Sequence, residues 1–220
     1  LDVEPFADFI VRMERENGLP RIVVRERGTG AEHAIEFAEQ AYALGMSNGY
    51  LWDSPWLRFE YSSPSTPAQV FDYNMRTRER VLRKTQVVPS GHVPSDYIVE
   101  RIDAPASDGA LVPVTMVRHR NTPVDGTAPV LLYGYGAYGI TIEAEFRTGR
   151  LSLVDRGFIY AIADVRGSMA KGYQWYLDGK LEKKIKNLVA RQYNLGNIPS
   201  RFNGTLRWPM PGTVTQPFGC

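Results

Sequence analysis

A chain of 220 residues that is 43% hydrophobic can bury a real core, and nothing in it has the composition of a disordered segment. Its 26 Lys and Arg stand against 24 Asp and Glu, scattered rather than clustered, so a net charge of +2 supplies no field to recruit nucleic acid or a membrane surface. The single cysteine, Cys220, excludes an internal disulfide framework and a multi-cysteine metal site, and fits a reducing, cytoplasmic compartment.

No basic-then-apolar opening and no apolar run on the order of 18 residues occurs, so neither a signal peptide nor a membrane span is predicted. The chain opens at Leu1 rather than Met, and a fragment of a longer protein is expected.

The first part reads as strands. "ADFIVRMER" alternates through Phe9, Val11 and Met13, breaks at Asn17-Gly18, and resumes as "RIVVRER", which predicts a β-hairpin. "LRFEYSS" then passes through "PSTPA" into "QVFDYNM", and "RTRE" leads to "RVLRKT". A strand-turn-strand module recurring about every 40 to 50 residues is what the small antiparallel sheets of propeller blades produce.

From Asp96 a further hairpin is predicted, "DYIVERIDAP" and "SDGALVPVTMVRHR", turning at Asp108-Gly109. After the linker "NTPVDGTAP" the texture changes. "VLLYG" and "GFIYAIAD" are short apolar runs bounded by glycine, the pattern of strands buried on both faces of a mostly parallel sheet. "EFRTGRLSLVDR" between them has the length of a crossover helix.

The loop after "VLLYG" spells G-x-G-x-x-G through Gly134, Gly136 and Gly139, and Asp164 falls about 25 residues further on, near the acid that holds a ribose in dinucleotide sites. The physical fit is poor. That fingerprint needs a helix to begin inside the glycine loop, whereas Ile140-Thr141-Ile142 is a weak helix start, and Tyr135 and Tyr138 stand where backbone must approach phosphate. A plain glycine-rich turn is the simpler reading, with a dinucleotide-binding domain kept as a third alternative.

"PVLLYGYGAYG", "RLSLVDRGFIYAIADVRG" and "GYQWYLDGKLEKK", in this order, resemble the start of the peptidase domain of the prolyl oligopeptidase family, in its oligopeptidase B branch. "AEHAIEFAEQAY", "LRFEYSSPSTPAQVFDYNMRTRERVLRKTQVVP" and "DYIVERIDAPASDGALVPVTMV" resemble the family's last propeller blades and its crossing into the hydrolase domain. The resemblance covers roughly residues 1–184. It implies residues 1–88 as C-terminal blades of a β-propeller, residues 89–184 as the N-terminal part of an α/β-hydrolase peptidase domain, and residues 185–220 as a tail of different origin.

The family comprises serine peptidases whose propeller excludes large folded substrates. The oligopeptidase B branch cuts short peptides after Arg or Lys and uses no cofactor or metal. The resemblance puts Tyr135 where the family places the phenol that donates to the oxyanion of the tetrahedral intermediate, and a preorganised donor of that kind is worth on the order of 3 kcal/mol. It puts Glu143 and Glu145 on acidic positions that line a subsite for a basic side chain. Carboxylates at i and i+2 of an extended segment face one side and can meet one guanidinium. In "DVRGSMAKG" the residues Ser168, Met169 and Ala170 replace the family's glycine-rich acidic run, which puts a subsite role for Arg166 in doubt. His33, His92 and His119 precede the hydrolase strands and are expected to be surface histidines with no catalytic role.

Triad catalysis on this fold needs a G-x-S-x-G elbow followed by Asp and His. No such elbow is read anywhere in the chain, and Ser168 in "RGSMAKG" lacks the second glycine. The segment as written is therefore expected to be inactive. The tail stretch "GTLRWPMPGTVTQPFG" resembles the opening of a LytM-like zinc peptidoglycan endopeptidase domain, without that domain's zinc ligands, and a junction near residues 183–190 is expected. The alternative to a peptidase segment is a non-enzymatic interaction module or an aberrant fusion product, whose unpaired sheet edges bind another chain.

Overall fold

Asn17 and Gly18 both take left-handed backbone conformations, with φ of 47° and 81°. Two successive residues of that kind form the tight turn whose twist matches a right-handed hairpin. Strands β2 (Phe9–Glu16) and β3 (Leu19–Glu26) accordingly leave it in register, with Glu16 opposite Leu19 and Val11 opposite Val24. The computed structural model describes residues 2–47 and 51–180, all within one compact unit, Leu1–Lys180. The tail from residue 185 onward, with its endopeptidase-like stretch, lies outside the described residues.

Short strands β1 (Asp2–Pro5) and β4 (Glu32–Ala34) flank the hairpin and complete a four-stranded antiparallel sheet in the order β1-β2-β3-β4. A second antiparallel sheet repeats the plan with β5 (Ala43–Met46), β6 (Trp56–Ser62), β7 (Gln69–Asn74) and β8 (Arg80–Thr85). In β6 the sequence alternation survives intact: Leu57, Phe59 and Tyr61 are buried, while Arg58 and Glu60 face outward. The two sheets share one apolar core in which Val11, Ile22 and Val24 of the first meet Leu57 and Phe59 of the second. Burying each such side chain contributes about 1.5–3 kcal/mol.

The third sheet begins with β9 (Tyr97–Pro105) and β10 (Leu111–His119), joined at Asp108-Gly109, and continues with β11 (Val130–Gly134) and β12 (Ile159–Ala163) in the order β11-β12-β10-β9. Strands β11 and β12 are parallel, Val130 facing Ile159, and helix α1 (Thr148–Val154) crosses between them as the sequence predicts. Along β12 the side chains alternate between two cores. Tyr160 and Ile162 join Val154 of α1 and Val117 on one face, and Ala161 and Ala163 join Val114 on the other.

Strand β11 departs from expectation. Its apolar run predicts burial on both faces, yet Val130 and Leu132 are 58% and 66% exposed. Among the described residues β11 pairs only with β12, so it stands at the edge of the sheet with little packed over it. No helix among the described residues is long and apolar enough to cross a membrane.

Candidate active-site region

Two loops leave the carboxyl ends of the parallel strands, one after β11 and one after β12, which is where open α/β sheets place ligands. They are locked together through main chain. Gly139 N–H donates to the Gly167 carbonyl at 3.0 Å, and the loops form isolated bridges at Gly139 and Ser168. Gly136 lies so close to the Arg166 carbonyl that a Cβ there would collide with backbone.

Tyr135 sits between Gly134 and Gly136 in the first loop, half-buried, and its hydroxyl has no hydrogen-bond partner among the described residues. The loop continues irregularly to α1, whose N-cap is Arg147. The dinucleotide reading loses its basis here, because no helix start meets the glycines. Asp164, its expected ribose ligand, is 6% exposed and faces Arg101 at 3.3 Å rather than open space.

Glu143 and Glu145 line one open cleft of about 760 Å³ together with Tyr133, Arg147, Arg150 and Tyr160. Tyr135 is not part of its wall. The two carboxylates do not wait on a common guest. Glu143 is ion-paired with Arg15 of β2, and Glu145 accepts from Arg147 Nε at 2.9 Å. Each therefore holds a different guanidinium of the chain itself, rather than sharing one.

Sequence reasoning missed the polar cluster around Asp164. Arg101 Nη1 donates to Thr115 Oγ1 at 2.8 Å, Nη2 donates to the Asn17 carbonyl, and Trp175 Nε1–H donates to the Asp164 carbonyl at 2.9 Å. Burial pushes the Asp164 carboxyl up to about 6, and Arg101 opposes that rise only in part. The one available signal was a charged residue ending an apolar strand, which in itself does not name a partner.

The histidines also differ from expectation, since all three are half-buried rather than surface groups. His33 Nε2 is 2.9 Å from the Tyr73 hydroxyl, and burial holds its ring below the usual pKa. His92 Nε2 donates to the Ser65 carbonyl at 2.6 Å while its ring stacks on Tyr97. His119 meets the edge of Tyr97. Among the described residues none of the three is hydrogen-bonded to a serine hydroxyl, and Ser168, fully buried, donates to the Val165 carbonyl at 2.8 Å. Arg166 pairs with Asp108, its guanidinium over the Trp175 ring.

Contrary to that reading of the sequence, the lettering G-x-S-x-G does occur once, upstream, at Gly45, Ser47 and Gly49. Gly45 belongs to β5, an antiparallel strand at the edge of its sheet, whereas a nucleophile elbow rises from a parallel strand of an α/β sheet. No histidine lines the cavity beside Ser47.

Residues 1–86 match the description "Prolyl oligopeptidase, N-terminal beta-propeller domain", and residues 144–189 match "Prolyl oligopeptidase family". The chain belongs to the prolyl oligopeptidase family. Its two blade-like sheets are the propeller portion, and its third sheet is the start of the α/β-hydrolase domain. Members of this family are serine peptidases.

Among its relatives are dipeptidyl aminopeptidase BI of Pseudoxanthomonas mexicana, 41% identical over 84% of this chain and 26% of the relative, and protease 2 of Moraxella lacunata, 32% identical over 83% and 26%. In the solved structure of oligopeptidase B from Trypanosoma brucei with covalently bound antipain, in its closed form, 26% of that chain superposes on 81% of this one. The TM-score is 0.76 at 36% identity. The chain thus spans about a quarter of the length of the curated relatives it matches.

Proposed function

We propose that these residues are the last propeller blades and the first part of the peptidase domain of a serine oligopeptidase that hydrolyses short peptides after Arg or Lys. Residues 1–88 and 89–184 are the two portions, and residues 185–220 are a tail of separate origin. Tyr135 carries the reading: it follows a parallel strand at the carboxyl end of the sheet, on a loop fixed by main-chain contacts, with its hydroxyl uncommitted. A phenol so placed supplies a preorganised donor to the oxyanion that develops as an acyl carbon becomes tetrahedral.

Glu143 and Glu145 supply the negative charge for a basic side chain of the substrate, and their common cleft supports this role. The oligopeptidase B and protease 2 likenesses favour cleavage after basic residues. Because no elbow serine with a following Asp and His lies in the hydrolase portion, the 220 residues by themselves perform no triad catalysis.

The test is direct. The purified chain is incubated with an Arg-containing chromogenic dipeptide and, separately, with an active-site serine probe. Neither turnover nor labelling is expected, and a stoichiometric label would show a working nucleophile and overturn the reading.

A second reading is favoured by β11. An edge strand presenting Val130 and Leu132 to solvent is a template for another chain, so the isolated polypeptide acts as an interaction module.

A further inference from the structure

Residues 173–180 follow the loop after β12 and are helical. One face of this helix is set against that loop. Trp175 Nε1–H donates to the Asp164 carbonyl at 2.9 Å, and the Trp175 carbonyl accepts from the Gly167 N–H at 3.0 Å, so a single residue grips the loop at both ends. The indole is buried, with the Arg166 guanidinium and the Lys171 ammonium both over its ring.

Gly179 stands one turn further along the same face. In an α-helix the carbonyl of residue 175 lies beside the amide of residue 179, so the Gly167 N–H enters at the turn that Gly179 closes. A Cβ at position 179 would lie 2.6 Å from Gly167 Cα and closer still to its nitrogen. The stack continues into the first loop. A Cβ at Gly167 would run into the Gly136 carbonyl, and one at Gly136 would lie 2.5 Å from the Arg166 carbonyl oxygen. At each level the nearest atom that a methyl would meet belongs to the main chain, which has no rotamer to yield. Gly136 follows Tyr135 directly, so the stack ends one peptide from the phenol.

We propose that Trp175 and Gly179 are positioning residues for the Tyr135 hydroxyl. The helix sets the height of Gly167, Gly167 sets Gly136, and Gly136 sets the angle at which the phenol leaves its loop. The proposal rests on the reading of Tyr135 as the oxyanion donor. Such a donor works only where its O–H meets the developing charge, and a misplacement of about 1 Å can cost on the order of a hundredfold in rate. A methyl at position 179 forces a shift of about that size, since ordinary contacts lie at about 3.5–4.0 Å. It does so from the far end of the stack.

Two measurements test the proposal. By NMR on the 220-residue chain, Gly179→Ala and Trp175→Phe are each expected to shift the amide resonances of Tyr135 and Gly136, while the Val11 and Val24 amides of the first blade stay in place and report that the chain is folded. Trp175→Phe removes the donor to Asp164 and keeps an aromatic ring, so it reads the grip even where the alanine variant fails to fold. Unmoved Tyr135 and Gly136 resonances in a folded variant would remove the substituted residue from the seat. In the full-length peptidase proposed above, Gly179→Ala is expected to lower kcat at least about tenfold with KM changed less than about twofold, and to cost nothing further in the Tyr135→Phe background. An equal kcat loss in both backgrounds would overturn positioning through the phenol. Full activity of Tyr135→Phe alone would dismiss the oxyanion reading on which the proposal rests, and is a different result from an additive loss.

Discussion

Arg15 of β2 holds Glu143, so the carboxylate proposed to receive a basic side chain of the substrate is already occupied by a guanidinium from the propeller portion. The pair is partly exposed, with side-chain exposures of 25% and 37%, and partly exposed pairs of this kind are worth about 0.2–1 kcal/mol. A substrate arginine therefore competes with Arg15 at little cost. In the full-length peptidase proposed above, Arg15→Ala is expected to lower KM for Arg-containing peptides about two- to fivefold with kcat unchanged. Glu143→Gln is expected to raise it. Steady-state kinetics on paired Arg and Leu substrates checks this, and an equal change for both would remove Glu143 from the subsite.

Tyr135 separates stability from chemistry. Its hydroxyl bonds to nothing among the described residues, so Tyr135→Phe is expected to leave the denaturation midpoint of the 220-residue chain where it was. In the full-length peptidase proposed above, the same change is expected to lower kcat on the order of a hundredfold, corresponding to about 3 kcal/mol of oxyanion stabilisation. Full activity of that variant would dismiss the oxyanion role.

Asp164 gives a pH signature with a definite sign. Its folded value of about 6 lies above the ordinary carboxylate value of 3.8, so the folded state binds its proton more tightly than the unfolded state does. The stability it contributes is fully present below pH 3.8 and is lost as pH rises through about 6. Asp164→Asn keeps a neutral group throughout, so its stability relative to the parent chain is expected to improve by up to about 3 kcal/mol between acid and neutral pH. Urea titrations of both proteins at about pH 4 and pH 7.5 measure it, and a difference independent of pH would refute the assignment.

Phe59 is fully buried and stacked on Phe71 at 5.4 Å between centroids. Phe59→Ala leaves a cavity that close-packed blades cannot fill, and a loss of about 3–5 kcal/mol is expected. Chemical denaturation followed by circular dichroism reads it directly.

Leu132, exposed on the edge strand, tests the interaction reading. Leu132→Lys places a charge where a second strand would add, and light scattering is expected to show less self-association at equal concentration. No change would point away from β11 as a docking edge.

How much of this was legible depended on distance along the chain. Asn17-Gly18 and Asp108-Gly109 announce their hairpins because a left-handed turn is a local demand that few residues meet. Strands β1, β4 and β5 are 3 or 4 residues long, too short to show alternation, and went unread. The apolar run of β11 told its strand character but not its exposure, which depends on what lies beside it. Arg15 and Glu143 lie 128 positions apart, and Arg101 and Asp164 lie 63 apart. No periodicity encodes a pairing of that span. Site lettering needed physical weighing: G-x-G-x-x-G met no helix, as Ile140-Thr141-Ile142 implied, and the G-x-S-x-G that falls on a blade edge went unread.

The contact between Gly136 and the Arg166 carbonyl bears on how freely the second loop can vary. Around Gly136 the Tyr135 loop rests on the main chain of residues 166 and 167, and the Met169 side chain meets it only further on, at Gly139. Replacement of a glycine-rich acidic run by Ser168, Met169 and Ala170 can therefore rewrite what that loop offers a ligand while the main chain under Gly136 stays in place, and specificity can drift there without disturbing the proposed oxyanion donor.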